Sequence, residues 1–203
     1  MSEIDSLIAL MRRRYACYAF RPDAVIAETD LQAVLEAGRL APSSFGLEPW
    51  HFLVVRNPAR LPQLQDACFG QPQAVTCSAL VAILATVADM DPDSASLRVR
   101  LAREHADDFA AGLAAYRQFH AATDIRGWAN AQCMLAAMQM MLAATACGID
   151  SCALGGFDEN RLGAILGINL KRNAIALLLA LGRCARGPGD KQRAPLAQLT
   201  EYR

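Results

Sequence analysis

The chain has 203 residues, 54% hydrophobic and 20% charged, with 20 basic residues balanced by 20 acidic ones. That length suits one domain, 1–203, with a core of its own, and a balanced charge without a basic stripe argues against nucleic acid as a main partner. The seven cysteines (17, 68, 77, 133, 147, 152, 184) form no Cys-x-x-Cys pair and no zinc spacing with histidine, and several sit in apolar runs as small hydrophobes, which points to a reducing cytoplasm. The start, Met-Ser-Glu-Ile-Asp, lacks the basic-then-apolar pattern of a secretory leader.

In chain order, Ser2 caps a helix whose Ile4, Leu7, Ile8 and Met11 form an apolar stripe, and Arg12, Arg13 and Arg14 close it. Cations at that end complement the helix dipole, and an arginine fork also suits an anion such as phosphate. Thr29-Asp-Leu-Gln32 reads as a capping box opening a second helix, with Leu31, Val34, Leu35 and Gly38 inward. The stretch Ala41-Pro-Ser-Ser-Phe-Gly-Leu-Glu-Pro-Trp-His-Phe52 then turns the chain into a buried strand over 52–55. Pro42 and Pro49 set the turn, and Gly46 permits a positive φ or a close approach to something flat. Ser43 and Ser44 offer hydroxyls and N–H groups to a ligand.

Asn57-Pro58 starts a short helix through Gln65, and Phe69-Gly70-Gln71-Pro72-Gln73 is irregular. A doubly buried strand covers Ala79–Val87. Beyond an acidic loop, Leu97, Leu101, Phe109, Leu113 and Tyr116 mark one amphipathic helix, with Arg100–Glu104 and Arg103–Asp107 as pairs on its wet side. Gly127–Ile149 runs 23 residues without a charge. Its Asn130, Gln132 and Gln139 and its many alanines favour a buried helix at a subunit interface over a membrane span. Gln132 and Gln139 share a face and are expected to bond across that interface. Strands follow at Asp150–Leu154 and Ala174–Leu181, separated by Gly155-Gly156-Phe157 and a helix capped by Asp158. A glycine pair between strand and helix leaves bare N–H groups above the strand end. Lys191-Gln192-Arg193 lies in an irregular tail.

The order of four motifs resembles the FMN-dependent nitroreductase family: Arg14 to Phe20, Pro42-Ser43-Ser44 to Pro49-Trp50-x-Phe52, Gly156-Phe157-Asp158, and Lys191-x-Arg193. Ala16 and Tyr18 depart from it, standing where serine and a basic residue are usual. The resemblance implies an α+β fold, a mixed, mostly antiparallel sheet flanked by helices, and an intertwined homodimer with FMN in its interface clefts. It implies a cofactor site of Arg13, Arg14, Tyr15, Ala16, Tyr18, Pro42, Ser43, Ser44, Gly46, Gln71, Gln73, Leu154, Gly155, Gly156, Lys191 and Arg193. Arg14, Lys191 and Arg193 would take the phosphate, Ser43 and Ser44 of the partner the ribityl side, and the Gly155-Gly156 backbone the ring. NADH or NADPH would deliver hydride through the flavin to a nitroaromatic, a quinone or a similar acceptor, by a ping-pong route with no catalytic side chain. A reductase of flavins, enals or semialdehydes, a dehalogenase-like relative, a non-turnover flavin carrier and a structural helical protein remain the alternatives.

Overall fold

The computed structural model describes residues 2–56 and 61–203. Four strands, β1 (Trp50–Val55), β2 (Ala79–Ala85), β3 (Asp150–Leu154) and β4 (Ala174–Gly182), form one sheet in the order β1-β2-β4-β3. Every neighbouring pair is antiparallel, and the register shifts between Ile83 and Leu84 where β2 meets β4. Among the described residues, the parallel element is a single bridge, Ala16 to Ser151, on the outer side of β3.

All residues of β2 are buried, as a strand covered on both faces requires. Its residues alternate: Val81 and Ile83 pack with one core, and Leu80, Ala82 and Leu84 with the other. The first core lies under α2 (Glu28–Arg39) and the long α7 (Ile125–Ala146); the second lies under α3 (Leu64–Ala67) and α8 (Glu159–Leu166). The uncharged segment is therefore a helix on the sheet, and among the described residues no helix is long and apolar enough to cross a membrane. Ala129, Cys133, Ala136, Ala137, Met140 and Ala144 form its inner face; all but Met140 are small, which lets α7 sit close to the strands.

Gly38 makes the crossing of α2 over α7 possible. A Cβ there would stand 2.7 Å from Cγ of the buried Met140 and 3.0 Å from Phe52. Gly38→Val should cost about 1–3 kcal/mol by overpacking, a drop in Tm of about 2–4 °C per kcal/mol, readable by calorimetry.

Several local expectations change. The second helix starts at Glu28 with Ala27 at its N-cap and no side-chain cap, so Thr29 lies inside the helix and Gln32 bonds Glu28 instead. The expected single helix after the acidic loop is two, α5 (Ala95–Glu104) and α6 (Phe109–Ala121), capped by Ser94 and Asp108. Arg100 leaves its expected partner Glu104 and donates to the carbonyls of Leu47 and Glu48. The β2 strand ends at Ala85, with Val87 in a 3-10 turn, and the expected helix start at Asn57-Pro58 lies outside the described residues. Helix α1 (Glu3–Arg13) forms as expected, with Ser2 and Asp5 in a capping box. Short helix α4 (Gln73–Thr76) follows the irregular Phe69–Pro72 stretch.

Candidate functional site

The chain leaves β4 at Gly182 and runs back along the segment between α1 and Arg21. Arg21 donates its N–H to Arg183 O at 2.8 Å, and Ala185 donates to Ala19 O at 2.9 Å. Farther along, Tyr15 Oη donates to Arg186 O at 3.4 Å, and Lys191 Nζ donates to Arg14 O at 2.6 Å and Met11 O at 2.9 Å. The last two carbonyls belong to the C-terminal end of α1, where the dipole favours a cation. Residues 177 apart thus meet because β3 places the first segment beside β4.

Arg14, Lys191 and Arg193 form one cationic cluster. Lys191 is exposed; slight desolvation, and then the charges of Arg14 and Arg193, push its ammonium below the usual lysine pKa. Among the described residues, no carboxylate lies in salt-bridge range of any of the three. Like charges held together without a counterion are what an anion site offers. Arg186, not singled out from the sequence, joins Tyr15, Ala16, Tyr18, Pro72 and Cys184 around an adjoining cavity of about 550 Å³. Its signal was its place between the last strand and Lys191.

Strand β3 forms the second wall. Cys17 N–H donates to Ser151 O at 3.0 Å, and both Arg14 and Gln73 stand beside Cys152. Burial raises the Cys152 thiol, while Arg14 and a hydrogen bond with Gln73 pull it back. Gln73 is only 4% exposed and donates to Gln71 Oε1 at 3.1 Å. Gln71 in turn donates to Gly156 O at 2.6 Å and Cys68 O at 3.0 Å. The two glutamines therefore orient the glycine turn, and Gln73 supports it from behind. A Cβ on Gly155 would meet nothing within 4 Å, while one on Gly156 would stand 3.2 Å from the Gln71 amide. The result is an exposed backbone floor at the end of β3. Leu154 reaches it through its backbone alone, because its side chain is in the core.

Other expected residues sit elsewhere. Arg13 donates to Thr145 O at the end of α7, at 3.2 Å. Ser43 Oγ accepts from Glu48 N–H at 2.8 Å, and Ser44 N–H donates to Gln132 Oε1 at 2.9 Å. The Oε1 of Gln132 thus bonds within its own chain. Pro42 and Ser44 are exposed. Gly46 has a positive φ, +60°, and a Cβ there would strike the side chain of Glu104 on α5. Phe45, at φ 58°, packs edge-on to Tyr116 with ring centroids 5.4 Å apart. The stretch Ala41–Phe52 is thereby tied to α5, α6 and α7, and among the described residues its polar contacts do not run to the Arg14 cluster.

Tyr15 is raised to about 12, by burial first and then by the Asp150 carboxylate, so its phenol stays a donor near neutrality. Among the described residues, no group of His, Cys, Asp and Glu is arranged to hold a metal ion.

Comparison with known proteins agrees with this architecture. The chain is 30% identical to a Staphylococcus haemolyticus protein provisionally assigned as an NAD(P)H nitroreductase, over 98% of this chain and 97% of that one. It is 28% identical to an oxygen-insensitive NADPH nitroreductase of Helicobacter pylori, over 91% of this chain and 90% of the relative. A protein of Exiguobacterium sibiricum, solved in complex with FMN, superposes with a TM-score of 0.78 at 24% identity, covering 97% of each chain. The Nitroreductase family profile matches residues 11–183, from the end of α1 through β4. The chain belongs to the nitroreductase family.

Proposed function

We propose that this protein is an NAD(P)H-dependent FMN oxidoreductase that reduces a small electron-poor acceptor, such as a nitroaromatic or a quinone. The observation that carries the reading is the convergence of Arg14, Lys191 and Arg193 without a carboxylate. These cations hold the phosphate through charge-assisted hydrogen bonds. From Cys152, beside Arg14, to Gly155 is three residues of extended chain, about 10 Å, which suits a ribityl chain lying along β3. The exposed Gly155-Gly156 backbone, oriented by Gln71, receives the flat ring. Bound FMN supplies the atom that accepts and gives up hydride. The relative solved with FMN and the relatives named for NAD(P)H or NADPH support the same reading.

A second copy of the chain completes the site, with its Pro42, Ser43, Ser44 and Gly46 on the ribityl side. Two exposed apolar surfaces support that assembly: Ile4, Leu7, Ile8 and Met11 on α1, and Met134, Leu135 and Met138 on α7. One cleft then serves donor and acceptor in turn, which gives ping-pong kinetics.

The visible spectrum of the purified protein, before and after anaerobic NADH and NADPH, tests the reading. Yellow protein bleached by either nucleotide supports it. Protein that stays colourless after incubation with excess FMN, freed of unbound flavin, overturns it.

Tyr18, 67% exposed beside the cavity, brings no positive charge to the ring's electron-rich edge. Tyr18→Lys should raise the flavin potential, by about 20 mV for each kcal/mol of stabilisation of the reduced form in a two-electron couple. A redox titration with no upward shift would remove Tyr18 from that edge.

A further inference from the structure

Cys17 and Cys184 are joined by a disulfide, against the sequence expectation of unpaired cysteines in a reducing cytoplasm. We propose that this pair is a redox modification site that controls the cationic cluster. Intact, it fastens the tail to the Arg14 segment; reduced by a dithiol, it releases the tail and weakens FMN binding. This inference rests on the FMN reading above.

Position is the first argument. Cys17 lies three residues after Arg14, and Cys184 lies seven residues before Lys191. The bond therefore joins the two chain segments that must meet for three cations to face one phosphate. Every residue from 185 to 203 is exposed, so the tail has no apolar anchor in the core. Apart from the disulfide, residues 184–191 are held to 11–20 by a bridge from Phe20 to Cys184 and the bonds from Ala185, Tyr15 and Lys191. Beyond Cys184 these hydrogen bonds are exposed and open readily, whereas a covalent link does not.

The second argument is selective access. Cys184 is half-buried and lines the 550 Å³ cavity, while Cys17 is fully buried. An incoming thiolate reaches the Cys184 sulfur and expels Cys17 as a thiolate, which takes up a proton. The second thiol of the reagent then attacks the mixed disulfide and frees Cys184. Two electrons and two protons pass from the dithiol, which leaves as its own disulfide. Both protein sulfurs lie near the carbonyl oxygen of Ala19, at 3.2 Å for Cys17 and 3.5 Å for Cys184, so each reduced thiol has an acceptor. The other cysteines are poor competitors. Burial pushes Cys77 and Cys133 up to about 12 and Cys68 up to about 11, and it also raises Cys147 and Cys152.

The full-length protein tests this in two measurements. Thiols titrated in denaturant should number five for air-oxidised protein and seven after dithiothreitol. Flavin-fluorescence titration of the apoprotein should show FMN bound about tenfold more weakly after reduction and anaerobic desalting. Cys184→Ser, checked for folding by circular dichroism, should bind at the weaker level and ignore the dithiol. Seven thiols in the oxidised protein, or equal affinities in the two forms, would overturn the proposal. Failure of both forms to bind FMN would instead remove the functional reading, and this inference with it.

Discussion

Arg14→Ala should weaken FMN binding by about 10- to 100-fold, the cost of one charge-assisted hydrogen bond to phosphate at a site that keeps two other cations. Arg13→Ala should change it by less than about twofold, because that guanidinium is turned to Thr145 O at the end of α7. The pair separates a specific contact from a general loss of positive charge. Both variants lower the net charge equally, so a diffuse electrostatic effect would weaken both alike and fade with salt. Fluorescence titration of the two apoproteins at two salt concentrations reads the difference. Equal affinities for Arg14→Ala and the unmodified protein would mean that the cluster is not the phosphate site.

Leu135→Glu should convert the proposed dimer to monomers and strip the cofactor. Leu135 is 44% exposed in the single chain and flanked on the same helix by exposed Met134 and Met138. α1, with its own exposed stripe, lies alongside through the Arg13 to Thr145 bond. In a two-fold assembly the substitution buries two unpaired carboxylates, which costs several kcal/mol in all and weakens association by about a thousandfold or more. The isolated fold should tolerate it, since the position already faces water. Light scattering gives the assembly state, and the visible spectrum gives the flavin content. A dimer that persists with full flavin content would move the interface off this face.

Strongly periodic or doubly buried stretches were legible in the sequence. Asp150–Leu154 appears with the expected bounds, and α1 and α8 start at the expected caps, because cap and period are local properties. The break between α5 and α6 was missed for a related reason. Leu101 and Phe109 stay in helical phase across it, and the cap at Asp108 is one residue that a continuous stripe hides. The second helix misled in the opposite way: a Thr-x-x-Gln pattern lies just inside a helix that starts without any side-chain cap.

For the site, residue chemistry was legible and residue placement was not. Gln71 and Gln73 read as ligand contacts; that Gln73 donates to Gln71 and Gln71 to Gly156 O is a network visible only once α4 meets the turn after β3. Gly46 read as a place for a positive φ or a close approach to something flat; its φ is +60°, and the close neighbour is the side chain of Glu104 on α5, which only the packing reveals. The family motifs, the apolar strands and the uncharged helix are determined by the sequence alone, since each depends on neighbours within a turn or a strand. That Lys191 lies on Arg14, and Cys17 on Cys184, was decided only by the tertiary structure. Contacts across more than 160 residues follow from the order of strands in a sheet, and that order is set by how both faces bury their apolar area at once.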